Sequence, residues 1–393
     1  MQVVVVAPGH LPSTRIVLTQ LLETLEKNGV LNWCLERERA SLDVSAFENA
    51  GIVIFFRCSE LQTILLAQLA HLSGAVVVYA ADDNLLEVPK GTRDGAYFQN
   101  RLVRRIMKKL IGMADAMLVY SGTARDYFTK LNPHTVLLEC LPATPCTDNA
   151  SKSPGSPGIV IGYAGTATHE ADFQPVIPAL QRLLGDVGNL RCDFVGFCPS
   201  ELVGAERVTQ TPWIDRYEDF LRELALRRWD IGIAPLKDTL FNNCKTNLKF
   251  REYAACGVAG IYSDIPLYRG SVRNEENGLL VSNTTQAWYE GIRRLIDSPE
   301  LRDTIRANAT QDVKTKYNIE KSSEELLRIL RGLPAEKQRT NNASILGRKK
   351  LLYALLRPIG LALAVLCQAI AGLRRGTLWR DAHEAFSKRY STR

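Results

Sequence analysis

The chain has 393 residues, room for about two domains, and its 46% hydrophobic and 23% charged residues are ordinary globular composition, which excludes a disordered or fibrous chain. Its net charge of +7 is unevenly spread: residues 345–393 carry ten Lys and Arg against two acids, which leaves the rest at a net of −1 and argues against a nucleic-acid partner. The nine cysteines include no Cys-x-x-Cys pair and no His companion at zinc-ligand spacing, a pattern expected of small buried hydrophobes in a reducing compartment.

Residues 1–141 repeat an apolar strand followed by an amphipathic helix. The expected strands are 2–7, 51–56, 75–80, 116–120 and 135–138, with helical periodicity at 14–27, 60–72, 99–113 and 123–131. No basic n-region or cleavage site accompanies the first apolar run, so no secretory signal is expected. Short apolar strands alternating with helices imply a parallel sheet covered on both faces, a Rossmann-like domain. The turn after the first strand holds a single glycine, Gly9, so the dinucleotide fingerprint G-x-G-x-x-G is absent. Residues 142–158 are dense in Pro, Ser and Gly and read as an interdomain linker. A second α/β series fills 159–332, with strands at 159–163, 191–195, 230–236 and 258–262, and with helices at 217–225, 248–255, 285–297, 300–316 and 322–330. A further helix is expected from the spacing of Phe173, Val176, Ile177, Leu180, Leu183 and Leu184. Two α/β domains joined by a linker are expected to face a cleft, which suits a reaction with two substrates. A polar spacer, 333–344, leads to a basic and hydrophobic tail, 345–393. Its apolar stretch 351–373 is interrupted by Arg357 and Pro358, so a helix on the inner leaflet is favoured over a span, with packing on protein as the alternative.

The stretch 241–257, FNNCKTNLKFREYAACG, concentrates the chemistry. It follows an apolar strand and supplies a polar loop and a helix closed by Gly257, the place in a parallel sheet where anions meet unpaired backbone N–H groups. With a helix starting near Thr246 or Asn247, Lys245, Lys249 and Glu252 share one face, two cations and a carboxylate. The same spacing fits a plain i,i+3 surface pair. At other strand ends stand Gly165, Thr166 and His169, and in the first domain Gly9, His10, Arg15, Asp82 and Asp83. Asp82-Asp83-Asn84 after a strand is also a turn and helix-capping signal.

Five blocks carry a family resemblance: LPSTR at 11–15, VVVYAADDNLLEVP at 76–89, IGYAGTATHEADF at 161–173, the run from Trp229 to Asp264, and NGLLVSNTTQAW at 277–288. With them the chain resembles glycosyltransferases with two Rossmann-like domains, the GT-B fold, and within it the family 4-like, group 1 enzymes of bacterial cell-surface polysaccharide synthesis. The resemblance implies transfer of a sugar from a nucleotide-diphosphate donor to a glycan or lipid-linked acceptor, with retention, no metal and no cofactor. It implies that Glu252 holds the ribose hydroxyls and that the donor side includes Gly165, Thr166, His169, Phe241, Asn242, Lys245, Asn247 and Lys249, with Lys245 at the diphosphate. Gly9, His10 and Arg15 fall on the acceptor side, where Asp82 or Asp83 would orient an acceptor hydroxyl. Two features depart from the family pattern. Cys244 stands where many members have a second Glu, and Gly165 and Thr166 stand where members have Arg and Lys. The expected setting is the cytoplasmic face of the membrane. A nucleotide-sugar epimerase or hydrolase of the same architecture and an inactive sugar-nucleotide-binding protein are the alternatives.

Overall fold

The computed structural model describes residues 1–9, 12–38, 44–92, 94–139, 141–143 and 158–333, and further on 351–355, 358, 362 and 366. These form two compact units, one of Met1–Glu139 with the described residues from Ser322 onward, the other within Cys140–Lys321. His10, most of the expected linker and spacer, and most of the basic tail lie outside the described residues. Among those described, no helix is long and apolar enough to cross a membrane.

The first unit is built on six parallel strands, β1 (Gln2–Ala7), β2 (Asn32–Arg37), β3 (Ile52–Phe56), β4 (Val76–Ala80), β5 (Ala116–Val119) and β6 (Thr135–Leu137), in the order β2-β1-β3-β4-β5-β6. Its central strands β3, β4 and β5 are buried along their whole length, as continuous Val, Ile and Phe runs require when helices cover both faces. Strand order reverses direction between β1 and β3, so Gly9 and Arg57, which follow these strands, stand at the switch point where such sheets bind ligands. The expected helix at 14–27 contains a π-helical turn, Arg15–Thr19, ahead of the regular segment Gln20–Lys27.

The second unit also has six parallel strands, β7 (Ile159–Gly165), β8 (Leu190–Gly196), β9 (Val208–Thr211), β10 (Ile231–Ala234), β11 (Ala259–Ser263) and β12 (Leu279–Val281), in the order β12-β11-β10-β7-β8-β9. Here the switch point lies between β7 and β10. Across the middle of this sheet Asp193, Gly162, Gly232 and Gly260 fall in register on four adjacent strands. The three glycines leave a bare strip that aromatic rings occupy. A Cβ on Gly162 would lie 1.7 Å from the Trp229 ring, one on Gly232 2.8 Å from Tyr253, and one on Gly260 1.9 Å from the Tyr262 hydroxyl. Polar ends are then matched: Trp229 Nε1 donates to Asp193 (2.7 Å) and the Tyr253 hydroxyl donates to the Ile233 carbonyl (2.7 Å). Tyr253 belongs to the helix Leu248–Ala255, so the bare strip sets how closely that helix rides on the sheet. Gly257, with φ of 66°, closes the helix in the left-handed region.

Behind it, the helix Pro299–Thr315 is anchored by Asp312, which accepts from Asn277 (2.7 Å), Arg273 (3.0 Å) and Lys316 (3.0 Å). Burial pushes the Asp312 carboxyl up, but these hydrogen bonds outweigh it and hold the group below its usual value.

Candidate active site

The switch point of the second sheet gathers most of the residues expected on the donor side. The loop after β7 runs Thr166–His169, and the strand ends on Gly165, where a Cβ would meet the Tyr163 hydroxyl at 2.2 Å. The Thr166 and Thr168 hydroxyls bond to each other at 2.7 Å on an exposed turn. His169 Nδ1 lies 2.9 Å from the Asp172 carboxylate, which leaves Nε2 on the opposite side of the ring. Asp172 is buried, and its other oxygen accepts from the Lys237 backbone N–H (2.8 Å) and, at 3.5 Å, from Asn242 Nδ2. One carboxylate therefore fastens the loop after β7 to the loop after β10. The sequence reading missed Asp172; its spacing of three from His169 was the available signal.

The loop after β10 contains a helical turn, Leu240–Asn243, where the sequence suggested only an irregular polar segment. Thr239 makes the difference, because its hydroxyl caps the turn by accepting from the Asn242 N–H. Phe241 on this turn lies under the Lys245 ammonium, 4.3 Å from ring centroid to Nζ. Asn242 is buried and donates to the Lys237 carbonyl (3.0 Å), so it braces the loop.

The helix Leu248–Ala255 starts where the sequence placed it. Asn247, at its N-terminus, donates to Ser271 (2.7 Å) and Tyr317 (3.0 Å) and accepts from Arg251 (3.0 Å), which makes it a bracing residue too. Arg251 is buried and donates to the Pro142 carbonyl at 2.7 Å. Glu252 is only 3% exposed and bonds Lys249 Nζ at 2.6 Å; Lys249 is its one side-chain donor among the described residues. This is not a surface pair on a solvated face. A carboxylate has about four acceptor sites, so beyond the Lys249 bond Glu252 retains acceptor capacity that no described side chain fills. Burial first, then Asp172 and Glu252, push the Tyr268 phenol well above the usual range. Cys244 is buried at 1% exposure, so its thiol sits in the packed interior.

In the first unit, Asp82 and Asp83 follow β4 and both bind Arg57, Asp82 through Nε and Asp83 through Nη2 at 2.6 Å. Arg57 has a φ of 54°, an uncommon conformation for a side-chain-bearing residue, and the sequence reading did not single it out. Burial raises the Asp82 carboxyl, Arg57 pulls it back and Asp83 pushes it up, for a net position above the usual value. Arg15 is paired with Glu23 at 2.6 Å, and Gly9 stands half-buried past the end of β1.

Residues 158–298 match the family described as "Glycosyl transferases group 1". The matched segment lies within the second unit. Its fold agrees with solved GT-B structures. Sucrose-phosphate synthase from Thermosynechococcus elongatus superposes with a TM-score of 0.59 at 16% identity, over 84% of this chain and 98% of that one. HepE of Anabaena, solved in complex with UDP-glucose, gives 0.60 at 12% identity over 85% and 100% of the two chains. A glycosyltransferase from Rickettsia africae gives 0.57 at 13% identity over 84% and 98%. No curated protein sequence matches the chain at a significant level. The family-matching segment is thus the one that carries Glu252, Lys245 and the His169–Asp172 pair.

Proposed function

We propose that the protein is a glycosyltransferase that takes its sugar from a nucleoside-diphosphate sugar held at the β7/β10 switch point of the second unit. The observation that carries the reading is Glu252, a carboxylate 3% exposed with a single side-chain donor among the described residues, Lys249. An ionised carboxylate accepts from both hydroxyls of a cis-diol, the recognition a ribose asks for. HepE, which shares the fold, was solved with UDP and with UDP-glucose.

In this proposal the diphosphate is met by Lys245, by His169 Nε2 and by backbone N–H groups at the strand ends. Positive charge fixed there stabilises the departing nucleotide as the sugar develops oxocarbenium character. The departing phosphate takes the acceptor proton, transfer proceeds with retention, and neither a metal nor a dedicated base is needed. The acceptor, a glycan or lipid-linked sugar in cell-surface polysaccharide synthesis, is assigned to the first unit. There Asp82, raised above its usual value beside Arg57 and Asp83, orients its hydroxyl. The basic tail, 345–393, is proposed to hold the enzyme on the cytoplasmic face of the membrane.

A thermal-shift panel of nucleoside diphosphates on the wild type and on Glu252→Ala tests the donor site. Stabilisation of the wild type and its loss in the variant are expected; an unstabilised wild type refutes the reading. Lys245→Ala is expected to lose more diphosphate affinity than Lys249→Ala in the same panel, and the reverse order would refute the assignment of Lys245 to the diphosphate.

A further inference from the structure

The groups assigned so far meet a diphosphate and a ribose and leave the base of the nucleotide without a partner. One indole at this edge of the second sheet is open to solvent. Trp213, just past β9, is 41% exposed, and among the described residues no other Trp or Phe falls with the exposed large hydrophobic side chains. Scattered exposed apolar residues need no explanation. Trp213 differs in being held flat.

Its ring stacks on Phe220 with centroids 5.5 Å apart and planes 26° apart, and Phe220 is buried and stacked in turn with Tyr217 at 6.1 Å and 25°. A Cβ placed on Gly196, at the end of β8, would lie 3.0 Å from Trp213 Cε3 and 2.4 Å from the Gly165 carbonyl. The indole therefore borders the ends of β7 and β8, beside the turn assigned to phosphate. Lys249 Nζ in turn is 5.8 Å from the Phe220 ring centroid and 2.6 Å from Glu252. Three short steps join the open indole to the carboxylate assigned to ribose.

We infer that Trp213 is the platform on which the base of the donor nucleotide stacks. The inference rests on the donor-site reading above and extends it to a residue that sets affinity for the base. Stacking on Phe220 orders the indole before any ligand arrives, so little side-chain entropy remains to be lost on binding. Every nucleobase has a π face and an indole has no means of reading its hydrogen-bonding edge, so Trp213 supplies affinity and leaves the choice among bases to other groups. A protein-partner contact would use an exposed Trp as well, and the test separates the two.

Full-length wild type, Trp213→Ala and Trp213→Phe are titrated calorimetrically with UDP, ADP and GDP, and with pyrophosphate as a base-free probe. Trp213→Ala is expected to weaken the best-bound nucleoside diphosphate roughly 5- to 150-fold. Trp213→Phe should keep most of that affinity, and pyrophosphate should bind all three proteins alike. Unchanged nucleotide affinity in Trp213→Ala overturns the inference, as does an equal loss for pyrophosphate, which would make Trp213 a support of the fold. If Glu252→Ala loses nucleotide while Trp213→Ala keeps it, the donor site stands and the platform alone falls. If the wild type binds none of the three, both fall.

Discussion

Replacing Glu252 by Gln and Lys249 by Met removes the two halves of one ion pair, and the two changes are expected to damage different properties. The Glu252 side chain is 2% exposed and that of Lys249 is 20%, so water can reach the cation far more easily than the carboxylate. Lys249→Met strands a buried carboxylate and should cost about 3 kcal/mol, the lower end for breaking a buried pair, because some solvent still reaches the site. Glu252→Gln leaves an ammonium that can turn outward and a neutral side chain of the same shape, and should cost only about 1 kcal/mol. Binding reverses the order. The carboxylate is the proposed acceptor for the ribose diol, and weakening charged hydrogen bonds to neutral ones should cost about 2 kcal/mol, roughly thirtyfold in nucleotide affinity. Denaturant unfolding measures the first effect and calorimetric titration with UDP the second. If Glu252→Gln binds nucleotide like the wild type, the ribose assignment is wrong. If it unfolds at lower denaturant than Lys249→Met, the argument from unequal exposure is wrong.

Two further outcomes follow from the same unit. Gly232→Ala puts a methyl group 2.8 Å from the Tyr253 ring and should lift the Leu248–Ala255 helix, destabilising the unit by about 1–3 kcal/mol and weakening nucleotide binding with it; Gly162→Ala, at 1.7 Å from Trp229, should be worse in circular-dichroism melts. Asp312, whose carboxyl is held below its usual value of 3.8, contributes stability that is present above that value and lost as pH falls through the lower folded-state value. Denaturant titrations between neutral and acid pH should therefore show a smaller acid loss in Asp312→Asn than in the wild type.

How much was legible follows from where each residue sits. The inner strands are unbroken apolar runs, and both sheets could be read from them. The strands that escaped reading, β2, β9 and β12, are all at sheet edges. An edge strand has one neighbour, and NWCLER and VTQT, partly exposed along their length, lack a continuous apolar signature. Glu252 and Lys249 were readable because helical spacing puts positions three apart on one face. Arg57 was not, since its meaning comes from two carboxylates 25 and 26 residues away that only the pairing of β3 with β4 brings near. The in-register glycines 162, 232 and 260 were invisible for the same reason: each is unremarkable alone, and only strand register makes them a row.

Asp172 has a mechanical consequence. With one oxygen on His169 and the other on the Lys237 amide, it makes the segments after β7 and β10 a single lever, so neither can swing outward without releasing the other. Ligand capture at the imidazole would then be felt at Asn242 and the Phe241–Lys245 turn without any contact there. Two loops far apart in sequence would open and close as one gate, with a lone carboxylate as its latch.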